Sequence, residues 1–366
     1  MNRRHFLSLM GATPALAAAG FGASGASAQG LLATANLAET AWPVWEAWKT
    51  AYLQSDGRVV DRLQRQASHS EGQGYGALLA TEFGDHDAFR RITGWAEANL
   101  SVRGDGLLAW RYLPGETTPV PDLNNASDGD LFYAWAHVRA AQRFNERRYL
   151  TRALQSAQSL AQLCIVANPA QTGETIFLPG AHGFVHDDRV VFNPSYIMPL
   201  AMREVAVATG VAELALAAQH AEAILLRLAQ AELVPDWVQA GARGMAPALG
   251  FSTNAGYEAM RIPLYLVWSG LNRHPAVMQM VRVYDRTVQP GVPVPTIIEP
   301  ASGAVLEASN DPGYRALAAL VSCAGSASQV GSDMPAFDPA QPYYPATLQM
   351  FAMIAANQVT PECVPI

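Results

Sequence analysis

The chain has 366 residues, 24 basic against 31 acidic, a formal charge of −7, and a composition that is 50% hydrophobic and 15% charged. That apolar fraction excludes a disordered chain, and the acidic balance excludes nucleic acid as a partner, because its phosphates would be repelled. Three cysteines without a close pair, Cys164, Cys323 and Cys363, exclude a disulfide framework and leave room for one bridge in an oxidising compartment; Cys164 lies in an apolar helical run and reads as a core thiol.

Residues 1–28 read as a cleaved export signal. Arg3 and Arg4 precede Phe6 and Leu7, a mildly apolar Ala/Gly run follows, and Ala26-Ser27-Ala28 offers a small-x-small cleavage site; no acidic residue occurs before Glu39. The run Arg3-Arg4-His5-Phe6-Leu7 is similar to a twin-arginine signal, with an ordinary secretory signal or an uncleaved anchor as the alternatives. No later stretch holds 18 uninterrupted apolar residues, so no membrane insertion is expected after signal cleavage.

Residues 29–366 then read as one domain made of helix after helix. The predicted segments are 43–54, 71–83, 85–100, 128–144, 147–167, 195–208, 212–229, 254–269, 274–289, 312–324 and 343–357. In 212–229, Leu214, Ala217, Ala221, Ile224, Leu225 and Leu228 recur at three- and four-residue steps, the signature of an amphipathic helix. Ile262 to Trp268 is apolar on every side, as in a helix buried all round. Strand signals are local: Arg58 to Asp61, and a hairpin of 183–185 with 189–192 turning at His186-Asp187-Asp188. The Pro-rich stretch 290–300 reads as a long connection within the domain. Helices joined by short links, without a linker, predict an all-α fold, a closed ring of helical hairpins. Six hairpins would make an (α/α)6 barrel, and the predicted helices are one short of the twelve this needs.

Four polar clusters stand near predicted helix starts: Ser70-Glu71, Ser127-Asp128, Ser195-Tyr196 and Tyr257-Glu258. Their spacing is about one hairpin each. In a ring of hairpins the inner helices run the same way, so these clusters would meet at one end. Other chemistries find little support. There is no Gly-x-Ser-x-Gly elbow and no His-Glu-x-x-His helix. His182, His186, Asp187 and Asp188 read as a polar hairpin tip rather than a metal site. The glycine-rich run 72–76 lacks the Lys-Ser/Thr and the preceding strand of a phosphate loop.

Carboxylates beside aromatics remain. Glu71 lies among Gly72, Gly74 and Gly76, either as part of a slim wall facing a large ligand or simply in the first turn of a capped helix. Asp128 and Asp130 lie in Ala126-Ser127-Asp128-Gly129-Asp130, where an N-cap is the plain alternative. Trp110, Tyr112, Tyr133, Trp135, Tyr196, Trp237 and Tyr257 are near enough in sequence to offer sugar-stacking faces, although most aromatics on helices are core.

Ser70-Glu71-Gly72-Gln73-Gly74-Tyr75-Gly76 resembles the Ser-Glu-Gly-x-x-Tyr-Gly signature of glycoside hydrolase family 8, and Ala126-Ser127-Asp128-Gly129-Asp130 resembles its Ala-Ser/Thr-Asp-Ala/Gly-Asp signature. Asn193-Pro194-Ser195-Tyr196, Tyr257-Glu258-Ala259-Met260-Arg261 and Tyr343-Tyr344-Pro345 follow in the family's order, so the resemblance spans about residues 40 to 357. With Leu108-Ala109-Trp110-Arg111-Tyr112, the chain looks most like the periplasmic endoglucanases of bacterial cellulose synthesis operons. The resemblance implies an inverting hydrolase on an (α/α)6 barrel that works without metal or organic cofactor. It implies Glu71 as general acid, Asp128 as a second active-site acid orienting or stabilising the distorted sugar, and Glu258 as general base, where the family motif has Asp. Tyr133 and Phe144 also depart from the family pattern, as packing changes.

Inversion needs one protonated carboxyl at the leaving oxygen and one carboxylate holding water, roughly 6.5–9.5 Å apart. A helix N-terminus alone would lower the pKa of Glu71 and an ionised Asp128 nearby would raise it, so the pair makes better sense than either alone. Asp130 either serves the site or braces its loop. The expectation is therefore an exported endo-1,4-β-glucanase acting on a β-1,4-glucan, with Glu71, Asp128 and Glu258 catalytic, with Trp110, Asp130, Tyr196, Tyr257 and Arg261 binding substrate, and with cellulose synthase machinery as partner. The alternatives are a xylanase, lichenase or chitosanase of the same mechanism, or a weakly catalytic β-glucan-binding accessory of polymer synthesis. As for Glu258, an ordinary ion pair with Arg261 three residues on is its plain reading.

Overall fold

The computed structural model describes residues 39–326 and 330–365; the expected export signal lies outside them. Among the described residues, eleven α-helices of eight residues or more follow in order: α1 (Trp42–Tyr52), α2 (Ser70–Glu82), α3 (His86–Asn99), α4 (Ser127–Arg143), α5 (Arg148–Cys164), α6 (Pro199–Thr209), α7 (Ala212–Ala231), α8 (Arg261–Trp268), α9 (Pro275–Thr287), α10 (Pro312–Gly325) and α11 (Tyr343–Val359). Each falls on a predicted segment. No described helix is long and apolar enough to cross a membrane.

The helices form two concentric layers. α2, α4, α6, α8, α10 and α11 make the inner ring. All but α6 are buried on most sides, twelve of the thirteen residues of α2 among them, which is why their sequences are largely small or apolar; α6 buries Pro199, Ala201, Met202, Val205 and Ala206 and leaves Val207 exposed. α1, α3, α5, α7 and α9 lie outside and bury one stripe each; in α5 that stripe is Tyr149, Ala153, Ser156, Ala157, Leu160 and Cys164. The architecture is an (α/α)6 barrel with eleven helices among the described residues, where no helix fills the sixth outer position. Residues 330–342 run there without helix, passing α1 and α11, where Tyr52 Oη donates to Gln341 O (2.7 Å) and Gln349 Nε2 donates to Pro335 O (2.9 Å). Pro335, Pro339 and Pro342 explain the missing helix, since each lacks an N–H and forces its predecessor out of the α region.

At one end of the ring, inner helices pass to outer ones by short turns such as 83–85 and 144–147; at the other end the connections are long, as in 100–126, 165–198 and 232–260. The long ones carry the β-structure: β1 (Ser68–His69) with β2 (Arg111–Tyr112), β3 (Ile165–Ala167) with β4 (Thr175–Phe177), β5 (Arg189–Phe192) with β6 (Val238–Gly241) and β7 (Gly244–Pro247), and β8 (Val294–Ile298) with β9 (Val305–Ser309), all antiparallel. The expected 183–192 hairpin is present, with Val185 bridging Val190 and His186-Asp187-Asp188 as its exposed tip, but the main partner of β5 is β6. The Pro-rich stretch 290–300, read as connection, contains β8.

The short-turn end is closed by a polar knot. Arg139 on α4 donates to Glu82 on α2 (2.6 Å) and to both oxygens of Glu204 on α6 (2.9 Å each), and Trp268 on α8 donates to Gln358 on α11 (2.9 Å), whose own amide donates to Glu82 (2.6 Å). Cys323 at the end of α10 is bonded to Cys363 after α11, the single bridge for which the sequence left room. Cys164 is a buried free thiol.

Candidate active site

The inner helices run in parallel, so their N-termini share the open end. α2 and α4 approach each other most closely there. A Cβ on Gly129 would lie 2.5 Å from Glu71 N and 2.5 Å from Ser70 Oγ, and one on Gly74 would lie 2.8 Å from Gly129 O. The glycines therefore do not form a wall facing a ligand, as one sequence reading had it. They face neighbouring elements and let two helix N-termini touch, which sets Glu71 beside Asp128.

Arg261, the first residue of α8 and 2% exposed, joins the carboxylates. Its Nη1 donates to Glu71 Oε2 (2.6 Å), Tyr75 Oη (2.9 Å) and Asp128 Oδ2 (3.1 Å), and its Nη2 donates to Glu258 Oε2 (2.6 Å) and Ser195 Oγ (2.7 Å). One guanidinium thus faces three carboxylates. Burial, foremost, raises the pKa of both Glu71 and Asp128, and repulsion within the cluster adds to it while Arg261 opposes it. Two carboxyls this close titrate as a pair that keeps one proton above the ordinary carboxylate range.

Accessibility differs across the cluster. The Asp128 side chain is 1% exposed, with Oδ1 accepting Gly129 N (2.7 Å); Glu71 is 22% exposed and Glu258 37%. All of Glu258's described contacts go to Oε2, which also accepts Asn193 Nδ2 (3.0 Å) and Ser195 Oγ (3.3 Å). The ion pair with Arg261 is present, and it lies inside the carboxylate cluster rather than on a solvated face. Glu258 precedes α8 in a turn; the helix predicted from residue 254 begins only at Arg261, and ahead of it the Gly256 and Ala259 amides bond to Asp236.

The sequence offers Asp130 either as a substrate-binding residue or as a brace for its loop, and its described contacts are those of a brace. It is fully buried, Oδ1 accepts Leu108 N (2.8 Å) and Oδ2 accepts Asn125 Nδ2 (3.0 Å), so it braces the loop leading to Trp110. Burial pushes its carboxyl up to about 7.

Half-buried aromatics flank the cluster. Trp110 donates to Asp122 (2.8 Å), stacks on His69 (centroids 5.9 Å apart) and has the Arg111 guanidinium 4.2 Å from its ring, so the face expected for a sugar is shared with these neighbours. Burial pushes the His69 imidazole down to about 4, so that ring is neutral near neutral pH. Tyr196 lies beside Arg261 and Trp237; Trp237 stacks between Phe184 (6.0 Å) and Phe251 (4.5 Å). Tyr257 donates to Glu307 (2.6 Å) and neighbours Tyr314. Sequence reasoning did not single out Asn193, Ser195 and Tyr75 as contacts of the carboxylates, nor Asp236 at all. The first three lie inside the quoted motifs; Asp236 had no signal, because its partners are two backbone amides of a turn and the Ser252 hydroxyl, none of them near it in sequence.

The sequence profile described as Glycosyl hydrolases family 8 matches residues 20–358. A relative named "Probable endoglucanase" from Novacetimonas hansenii is 32% identical over 321 residues, covering 86% of this chain and 91% of the relative. Among solved structures, the endo-beta-1,4-glucanase CMCax from Acetobacter xylinum superposes with a TM-score of 0.78 at 30% identity, over 88% of this chain and 99% of that one. An endoglucanase from Komagataeibacter sucrofermentans gives 0.78 at 32% identity, over 88% and 98%. The two-layered helical ring, the carboxylates gathered at its open end and these matches have one reading: the chain belongs to family 8 of the glycosyl hydrolases.

Proposed function

We propose that the enzyme is an endo-1,4-β-glucanase that cleaves internal bonds of cellulose or soluble β-glucan with inversion, Glu71 acting as general acid and Glu258 as general base. The observation that carries this reading is the division of labour within the carboxylate cluster. The buried Glu71–Asp128 pair holds a proton near neutral pH, and its more exposed member, Glu71, is the one able to deliver it to a leaving oxygen. Asp128, on the floor, stabilises the positive charge that develops on the sugar ring. Glu258 sits across the guanidinium from Glu71, one carboxylate on each Nη nitrogen; an inverting pair needs roughly 6.5–9.5 Å between its carboxyls to leave room for a water. Its Oε2 is held by Asn193, Ser195 and Arg261, and Oε1 is the oxygen we assign to the water.

The long loops leave the open end flanked by Trp110, Tyr196, Trp237 and Tyr257, which suits a chain-like ligand threading past the carboxylates rather than a small one enclosed by them. Export to the periplasm or medium is part of the proposal: it rests on the N-terminal Arg3-Arg4 pattern and is supported by the Cys323–Cys363 disulfide, a bond that oxidising compartments permit. Association with cellulose synthesis rests on the sequence resemblance alone.

The test is reducing-end release from carboxymethylcellulose by the purified protein, with proton NMR of fresh product from cello-oligosaccharides. Glu71→Gln should lower turnover by roughly 10²–10⁴-fold while sparing binding, since the amide keeps the shape but transfers no proton. Glu258→Ala should also be slow and partly rescued by azide, and the first product should carry the inverted anomeric configuration. Near-normal turnover by Glu71→Gln, or retained configuration, would overturn the mechanism.

A further inference from the structure

The turn that presents Glu258 lies ahead of α8 with two backbone bonds of its own, Met260 N to Gly256 O and Arg261 N to Glu258 O (3.1 Å each), and it is held from outside as well. Ala255 exchanges two backbone hydrogen bonds with Ile298 of β8 (2.9 Å each), and Tyr344 Oη donates to Tyr257 O (2.5 Å). The third hold is Asp236, 4% exposed, in the long connection between α7 and α8. Its Oδ1 accepts both Gly256 N and Ala259 N (2.9 Å each), its Oδ2 accepts Ser252 Oγ (2.7 Å), and its own N–H donates to Asn254 O (2.7 Å).

The two amides bonded to one oxygen bracket Glu258 in sequence, one before it and one after it. Fixing both fixes the Cα from which the Glu258 side chain projects. Gly256 makes this possible, because a Cβ there would lie 2.7 Å from Asp236 Oδ2. Asp236 makes no described hydrogen bond or ion pair with Glu71, Asp128 or Arg261; it feels the charge of Glu258, and its hydrogen-bonded hold on the active-site end is on the turn. We infer that Asp236 is the positioning residue for the general base: clamped on Gly256 and Ala259, it sets how far Glu258 stands back from the reacting water. The inference rests on Glu258 being that base. The setback matters in this chain because glutamate is one methylene longer than the aspartate of the family motif, and an error of about 1 Å can cost on the order of 10²-fold in rate.

The test is steady-state kinetics on a soluble cello-oligosaccharide for Asp236→Asn, Asp236→Ala and Gly256→Ala, alone and combined with Glu258→Ala. Asn keeps an oxygen for both amides and should stay within about threefold of the wild-type kcat, whereas Ala should lose on the order of 10²-fold in kcat with KM little changed. Gly256→Ala covers the case in which Asp236→Ala fails to fold. It keeps the carboxylate and moves the turn, and should show the same kcat loss. The decisive readout is the double-mutant cycle: in the Glu258→Ala background, with or without azide, adding Gly256→Ala should cost less than about threefold. Equal losses in both backgrounds, or a Gly256→Ala enzyme with wild-type kcat, would overturn the positioning role and leave the base assignment standing. A Glu258→Ala enzyme of wild-type activity would instead overturn the base assignment, and this inference with it.

Discussion

If the close approach of α2 and α4 creates the catalytic pair, then the smallest side chain placed between them should disable it. Gly129→Ala is that perturbation. Its Cβ would lie 2.5 Å from Glu71 N and Ser70 Oγ and 2.8 Å from Ser70 C, where ordinary contact begins at 3.4 Å, so the helix ends must part by about 1 Å. Overpacking of this kind costs roughly 1–3 kcal/mol, and the better helix propensity of alanine returns up to about 1 kcal/mol, leaving a modest loss of stability. The rate should suffer far more, on the order of 10²-fold, because the displaced group is the proposed acid. Parting the pair also weakens its mutual repulsion, so the proton leaves at lower pH and the alkaline limb of kcat/KM moves down. The assay is a pH profile on a soluble cello-oligosaccharide together with thermal melting. Gly94→Ala is the control: it lies within α3 with nothing within 4 Å of its Cβ position, and should leave the rate unchanged. A Gly129→Ala enzyme with wild-type kcat/KM and an unmoved alkaline limb would refute the pairing mechanism.

Three further outcomes are expected. Reducing the Cys323–Cys363 bond, which closes a 40-residue separation, should cost about 4 kcal/mol by loop entropy; an unchanged melting temperature in reductant, or in Cys323→Ser/Cys363→Ser, would count against it. Because burial lifts Asp130 to about 7, the folded state binds its proton more tightly than the unfolded state does, so this residue makes stability fall as pH rises from about 4 to about 7. Asp130→Asn should flatten that slope in denaturant titrations, and an identical slope in both proteins would contradict it. If the flanking aromatics bind a threaded chain, cellohexaose should be turned over much faster than cellotriose, and equal rates would remove the extended groove.

The helical ring was legible because outer helices carry an apolar period and inner ones long apolar runs, both written in their own residues. The site was legible only in part. Glu71 and Asp128 announce themselves through short motifs in which the glycines matter as much as the acids, but what those glycines touch is a tertiary fact; read locally they suggested a ligand wall. Asp130 shows another limit, since nothing in Asp128-Gly129-Asp130 says which carboxylate turns toward Arg261 and which toward Leu108 and Asn125. The missing twelfth helix was present in the sequence as Pro335, Pro339 and Pro342, but an extended segment standing in for a helix leaves no periodicity to detect. Asp236 was invisible, since its bonds to the Gly256 and Ala259 amides and to Ser252 join residues 16 to 23 positions away that form no local pattern with it.

The ring closes where the two ends of the chain meet. Trp48 on α1 donates to Thr347 on α11, 299 residues later, and a Cβ on Gly72 of α2 would rest 3.3 Å from Tyr343 Oη. At synthesis rates of about 5–20 residues per second, roughly 15–60 s separate the emergence of the first contact partner from that of the last. Throughout that interval the wall of α2 destined to meet α11 has no partner. The nascent protein is an open crescent whose apolar concave side faces water or whatever is at hand. Closure is a late event, and every residue added ahead of Tyr343 lengthens the wait.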